Sequence, residues 1–516
     1  MRAPGLVALL LGVAAFAGPG DGAAARARFL AAFRGNAEPA ARLEAITELA
    51  RSDSPQAAQT LLETWDELEK EALKRRKELN AVLLKLRALE RDRLRTGVYP
   101  STPERTALGK REAELAAAQR QTDAEQGAVL GGIRMLQSTE ALAWLADEGI
   151  AKVTSPLLLH EVSLHLVSSQ DTGISALVVA LESARRPEQL VPLLHALERR
   201  GRDAGPSVVP TLLRLLPHGD WVVRAAVARA MAALALPECV GPLVEAVQKE
   251  KRDTRGLQEF IRALQVLTGQ PIGPFPDIWA RWYADRRDDV LSGRIPLGRG
   301  RAGSDEAGPG GRFYGIPQDA LRIVYVLDIS GSMEVSFTNP KWVDNLPVPP
   351  KADEESRFHA ARSELLRAVK SLRSGTQYAV LLFSDHVFPL HDDLVPVSEK
   401  AHARLTEDLS ASQPGGNTNI RAALEAALRL AGVHPDEPAK DARADAIFLV
   451  SDGAPTDAMG NREDPEWTLQ AVRNWNALRR VTIHTIGIGR EHGAGFLRAL
   501  AEQNGGRYLA VVPEGK

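Results

Sequence analysis

The segment Ile323-Val-Tyr-Val-Leu-Asp328-Ile-Ser330-Gly-Ser332-Met333 constrains this chain more than any other. Its β-branched, apolar run has the make-up of a strand buried on both faces, as in a parallel sheet. In open α/β sheets ligands bind at the carboxyl ends of the strands. The chain puts one carboxylate, Asp328, and two hydroxyls, Ser330 and Ser332, at that end. Two later segments complete the set. Gly415-Gly-Asn-Thr418-Asn419 offers a third hydroxyl just before a helix, and Ile447-Phe-Leu-Val-Ser451-Asp452-Gly453 offers a second carboxylate at the end of another buried strand. Hard oxygen donors from three loops of one sheet edge suit Mg²⁺, with Mn²⁺ as the alternative.

The donor balance bears on function. Ser330, Ser332 and Thr418 can coordinate directly, while Asp328 and Asp452 sit behind water and orient it. With few direct anionic ligands the metal stays electrophilic and keeps an open position, which the carboxylate of a partner protein fills. A bare Asp-x-Ser-x-Ser is also common in solvated turns. Thr418 and Asp452, in the right order on matching strand ends, favour the metal.

These residues resemble the metal-ion-dependent adhesion site of the von Willebrand factor type A domain, over Arg322 to the C-terminus. Asp328, Ser330 and Ser332 match its first motif, Thr418 its second loop and Asp452 its third. The surrounding pattern agrees: helices at Ser363–Leu372, Asn419–Ala431, Trp467–Arg480 and Phe496–Gln503, and strands at Tyr378–Ser384, Val481–Ile488 and Arg507–Val512. Alternating strands and helices predict a doubly wound, mostly parallel α/β sheet of Rossmann-like type. Two departures stand out. Glu334 to Glu355, with Pro340, Pro347, Pro349, Pro350 and Trp342, intervenes between the first metal loop and the first helix; it is either a lid beside the metal or a tolerated surface insertion. The sequence also stops at Lys516, directly after the last strand, without the C-terminal helix whose displacement switches integrin-type domains.

At 516 residues the chain is multidomain. A net charge of −2 gives no reason to expect nucleic acid or an anionic membrane as partner. Met1-Arg2, the apolar Leu6–Ala17 and Gly18-Pro-Gly fit a secretory signal peptide, residues 1–17, too short to span a membrane. The expected location is secreted, periplasmic or otherwise extracytoplasmic. Cys239 stands alone, so neither an intramolecular disulfide nor a thiolate zinc site is available.

The N-terminal part reads as all-α. Leu61, Trp65, Leu68, Ala72, Leu79, Val82, Leu86 and Leu89 trace a coiled-coil seam of about four heptads. Gly97-Val-Tyr-Pro100 breaks it, and Ser101-Thr-Pro-Glu104 starts a second, Ala- and Gln-rich arm. The simplest form is an antiparallel hairpin; pairing between chains into an oligomer is the alternative. Pro187, Asp220 and Asp253 lie 33 residues apart, each opening a helix, and Asp220…Val-Arg224 resembles the second helix of a HEAT repeat. Such units stack into a solenoid; a generic helical bundle of similar composition is the alternative. Trp279 and Trp282 are expected to cap it. The division is thus: 1–17 signal peptide, 25–137 helical region with the coiled-coil hairpin, 138–288 HEAT-like repeats, 289–316 Gly/Pro-rich flexible linker and lead-in, and 317–516 the von Willebrand type domain.

Several decoys carry no chemistry. His160 and His165 are five apart, so a helix turns them away from each other. Gly487-Ile-Gly489 lacks the third glycine of a dinucleotide loop, and adjacent Ser384, Asp385 and His386 cannot form a triad by themselves. The expected function is an exported, non-enzymatic binding or adhesion protein that grips an Asp or Glu carboxylate of a protein ligand through Mg²⁺. A scaffold for a multi-protein assembly is the alternative. A metal-dependent hydrolase needs a base beside Asp328 and Asp452, and the nearby candidates are His386 and His391.

Overall fold

The structure, a computed structural model, describes residues 22–35, 38–96, 102–169, 173–251, 255–300, 311–343, 346–351, 354–433, 442–453, 455–456, 460, 462–490 and 492–513. The signal-peptide stretch, the Gly97–Pro100 break and Asp253 lie outside them. The chain divides into two compact units, Met1–Ala184 and Arg185–Lys516.

The first unit is helical: α1 (Gly22–Arg34), α2 (Pro39–Arg51), α3 (Pro55–Thr96), α4 (Thr102–Met135), α5 (Pro156–Ser168) and α6 (Gly173–Ser183), with short turns of helix between α4 and α5. Helices α3 and α4 run antiparallel. Leu61 meets Gly132, Arg75 donates to the Ala118 carbonyl (3.2 Å), and Arg111 pairs with Glu78 (2.5 Å). The expected seam is the buried stripe: Leu61, Trp65, Leu68, Ala72 and Val82 are covered, and Leu79 is half-buried. The side chains of Leu86 and Leu89 lie outside the described residues. Gly132 of α4 has a packing reason, since a Cβ there would stand 3.2 Å from Leu61 and from Ala50. His165 is buried with its Nε2 2.7 Å from the Leu136 carbonyl, a packed core histidine.

The second unit opens with α7 (Pro187–Arg200), α8 (Val209–Leu215), α9 (Trp221–Leu234), α10 (Val240–Lys249), α11 (Arg255–Thr268) and α12 (Pro276–Leu291). Helices α7, α9 and α11 start 34 residues apart and stack in that order, while α8 packs on α9 and α10 on α11. Leu193 and Leu197 of α7, Val223, Val227 and Met231 of α9, and Phe260 and Leu264 of α11 are all buried. The Asp…Val-Arg pattern has a local cause. Asp220 caps α9 by accepting from the Val222 N–H (2.9 Å). Arg224 forks onto Glu250 (2.9 and 3.1 Å) and donates to the His218 and Gly219 carbonyls. Trp279 is fully buried, donates to the Gly273 carbonyl (3.1 Å) and meets Trp282 edge to face, while α12 covers α10.

The first half of the Gly-rich stretch is pinned. The N–H groups of Gly298 and Gly300 donate to the Leu267 and Val266 carbonyls of α11 (2.7 and 3.1 Å), and Leu297 is buried. Composition pointed to a flexible linker here, but backbone donors and one apolar side chain hold it to the helices. Residues 301–310 lie outside the described set.

A short hairpin, β1 (Arg312–Phe313) and β2 (Ile316–Pro317), leads into the sheet domain; Phe313 packs 5.3 Å from the Tyr325 ring and 5.7 Å from that of Phe448. The strands are β3 (Arg322–Asp328), β6 (Gln377–Phe383), β7 (Val387–Pro389), β8 (Val395–Pro396), β9 (Ala446–Ser451), β10 (Thr482–Ile488) and β11 (Tyr508–Val511); β4 (Trp342–Val343) and β5 (Leu346–Pro347) form a separate hairpin in the 334–355 insertion. The order is β11-β10-β9-β3-β6-β7, parallel from β11 to β6, with β7 and β8 antiparallel to β6. Side chains alternate between two cores. Ile323, Tyr325 and Leu327 face α13 (Arg357–Lys370) and α14 (Glu399–Ala411), whereas Val324 and Val326 face α15 (Ile420–Leu430), α16 (Pro465–Trp475) and α17 (Ala494–Gln503).

The helices of this unit grip the amino edge of the sheet. The Arg255 guanidinium donates to the carbonyls of Asp445 and Arg480 and to the Thr482 hydroxyl (2.7 Å). Arg480 pairs with Asp220 and Arg479 with Glu198, both at 3.6 Å, and Gln258 donates to the Asp319 carbonyl (3.0 Å). Behind them Glu259 is buried beside Arg229, Arg255 and Arg262. Burial pushes its carboxyl up, but the three guanidiniums outweigh that and hold it at about 2. Among the described residues no helix is long and apolar enough to cross a membrane.

Candidate metal centre

Strand β3 pairs with β9 on one side and β6 on the other, and the chain winds away in opposite directions from it. The carboxyl ends of β3 and β9 therefore flank the switch point, where a doubly wound sheet leaves a crevice. Asp328 ends β3, Ser330 is the N-cap of a turn of 3₁₀ helix, Gly331–Glu334, and Ser332 lies in that turn. Asp452 follows β9. The Gly415–Thr418 loop is stitched to the first loop by two backbone bonds, Gly415 N–H to the Ile329 carbonyl (2.7 Å) and Gly331 N–H to the Gly416 carbonyl (2.9 Å).

The five sequence-predicted residues come together. Asp328 Oδ1 accepts the Ser330 N–H (2.8 Å) and Oδ2 accepts the Ser451 hydroxyl (2.5 Å). The hydroxyls of Ser330 and Ser332 are 3.1 Å apart, and Ser332 donates to Asp452 Oδ1 (2.7 Å). Thr418 Oγ1 faces Gly453, where an added Cβ would stand 3.3 Å from it. Asp328, Ser330, Thr418 and Asp452 are buried, and Ser332 is half-buried.

Three further residues shape the site. Ser451 holds Asp328, as above. Asp385 accepts the Asn417 N–H (2.7 Å) and lies against Gly416, whose φ of 82° and lack of a Cβ admit that carboxylate. Arg357 donates through Nη1 to Asp452 Oδ2 (2.6 Å), with both side chains buried. It is delivered by the base of the 334–355 insertion, where the Arg357 N–H donates to the Val335 carbonyl (3.0 Å) and the Phe337 N–H to that of Glu355 (2.8 Å). The Trp342 side chain lies outside the described set. Ser451 precedes Asp452 directly and is legible from that position, whereas nothing in the sequence marks Arg357.

The charges do not balance. Two buried carboxylates share one guanidinium. Burial, and then the neighbouring Asp452 carboxylate, push Asp328 up to about 7, and burial raises Asp452 against the pull of Arg357. Among the described residues no three His, Cys, Asp or Glu side chains gather as a metal cluster, so the donors are hydroxyls plus two carboxylates. That set is all hard oxygen, with one carboxylate, Asp328, left without a cationic partner, and it fits a divalent cation. Both Asp452 oxygens are already engaged, which suits a carboxylate acting through water. The two histidines lie elsewhere: His386 is exposed on the turn after β6, and His391 accepts the Val380 N–H (3.2 Å) beside Tyr378.

Residues 352–510 match the family model described as von Willebrand factor type A domain. Among solved structures, a von Willebrand factor type A protein from Catenulispora acidiphila aligns at 19% identity over 37% of this chain and 38% of its own, with a TM-score of 0.28. The PilB minor pilin from Streptococcus sanguinis aligns at 16% over 38% and 57% (TM-score 0.28). Proximal thread matrix protein 1 from the mussel byssus, with a zinc-occupied metal site, aligns at 22% over 37% and 41% (TM-score 0.25). This chain thus covers well under two thirds of each, and at such identities the matches say nothing about what it binds.

Proposed function

Because the C-terminal region is a von Willebrand factor type A domain, a fold of protein interaction and adhesion, we propose that it grips an acidic side chain of a partner protein through Mg²⁺, or Mn²⁺. The carrying observation is the uncompensated carboxylate of Asp328, buried among hydroxyls at the switch point of the sheet. Ser330, Ser332 and Thr418 hold the ion directly, and Asp328 and Asp452 orient its waters. When bound, the ion supplies an electrophilic centre with an open position for a carboxylate. The protein acts as an exported, extracytoplasmic binding module rather than an enzyme. The helix pairs of the second unit serve as HEAT-like repeats that carry the sheet domain.

The test is a pull-down with wild type and Asp328→Ala, each with Mg²⁺ and with chelator. Capture by wild type in Mg²⁺ alone, and by Asp328→Ala in neither condition, supports the reading. Capture indifferent to chelator refutes the metal's role in adhesion and favours an assembly scaffold.

A further inference from the structure

Arg357 is an unusual neighbour for a cation site. Its guanidinium is almost fully buried, yet among the described residues its Nε and Nη2 have no hydrogen-bond partner. Bare buried donors are costly, so the geometry is held for the single strong bond to Asp452 Oδ2. Room for it is made by Gly489, just beyond β10, with φ 87°. A Cβ at Gly489 would stand 2.8 Å from Arg357 Nε and 2.9 Å from Cζ. The Ser332 hydroxyl takes the other Asp452 oxygen. Asp452 is thus fixed at both oxygens and neutralised from behind.

We infer that Arg357 is a positioning residue that sets the charge of the metal centre. It cancels Asp452 and leaves Asp328 as the single anion facing the cation, so that a bound divalent ion retains one unit of positive charge, the complement of one carboxylate. This rests on the metal reading above and deepens it: affinity for the ion is held down and selectivity for an acidic ligand is gained. Without Arg357 the same five oxygens would carry two full negative charges, bind the ion more tightly and leave it neutral towards a ligand.

The experiment is a calorimetric titration of the full chain with Mn²⁺ alone, for wild type, Arg357→Met, Asp452→Asn and the double variant, with circular dichroism confirming the fold. Arg357→Met should bind Mn²⁺ about 10-fold tighter and Asp452→Asn about 10-fold weaker, the size expected for partners behind the ligands. The double variant, with no guanidinium left uncancelled beside the ion, should bind about threefold or more tighter than Asp452→Asn. Equal or weaker binding by folded Arg357→Met overturns the inference and leaves the metal site standing. If Arg357→Met does not fold, the other two variants decide: a double variant no better than Asp452→Asn overturns it, and a tighter one supports it. A wild type that takes up no Mn²⁺ overturns both this inference and the metal reading.

Discussion

The two edges of the same sheet are built on opposite principles. At the amino edge, arginines meet carbonyls and carboxylates in a closed network: Arg255 is spent on two carbonyls and a hydroxyl, and Glu259 is surrounded by three guanidiniums. At the carboxyl edge, two carboxylates meet one guanidinium and a charge is left over. The first edge joins the helices to the sheet, beside a cavity of about 1470 Å³ lined by Trp221, Arg224, Arg255, Arg322 and Asp445. The second forgoes stability, and on the proposed reading its unpaired carboxylate is what a cation meets. On the proposed reading, engaged arginines mark the edge that joins helices to sheet, and the unpaired carboxylate marks the edge for binding.

The sharpest break of the contrast is Arg255→Ala. It strips partners from buried carbonyls and removes one of the cations beside Glu259, and should cost about 3–5 kcal/mol in denaturant unfolding. Mg²⁺ affinity of the folded variant should change less than about twofold, since seven residues of strand, roughly 20 Å, separate the edges. A loss of metal binding in step with stability would mean that the edges are coupled.

The edges should also answer pH in opposite directions. Asp328 has a folded value raised to about 7 from an ordinary 3.8, so without metal it withdraws stability as pH rises from about 4 to 7. Asp328→Asn should therefore gain roughly 2–3 kcal/mol over metal-free wild type at pH 8 and flatten that slope. Glu259, held at about 2 from 4.5, contributes stability that is present above about 4.5 and lost as pH falls towards 2. Glu259→Gln should remove that acid limb alone. Thermal melts in chelator across pH 2–9 decide both.

The smallest effect tests the least anchored donor. Thr418→Val keeps the shape and removes one hydroxyl, and should weaken Mg²⁺ by about 10-fold, near 1.4 kcal/mol, with the melting temperature almost unmoved. Unchanged affinity would remove Thr418 from the ligand set.

Much of the carboxyl edge was legible because its elements announce themselves. The β3 and β9 runs are buried on both faces, and the residues that follow them supply the motif. Strand and helix limits came within a few residues for β6, β10, α15 and α17. Helix α14 and the edge strands β7 and β8 were not anticipated; α14 buries Leu405 and Leu409 on an otherwise polar surface, too weak a stripe to read. The amino edge was illegible for a different reason. Its bonds run from side chains to backbone carbonyls, which every residue has, so Arg255 is indistinguishable among 64 lysines and arginines. Arg357 was hidden by distance, since 95 residues separate it from Asp452, the residue it holds. The pinned stretch at 297–300 was misleading in the same way, because its backbone donors leave no mark in composition.

The insertion between Val335 and Arg357 is closed at its base by two backbone bonds, which make Ser336 and Ser356 an antiparallel bridge. Its ends are thereby fixed whatever lies between them. Lengthening such a segment costs only about 0.6 kcal/mol per doubling. The stretch from Thr338 to Glu354 thus leaves and rejoins the fold at one clamp, which uncouples its length from the position of Arg357, while β5 packs on the turn that carries Ser332.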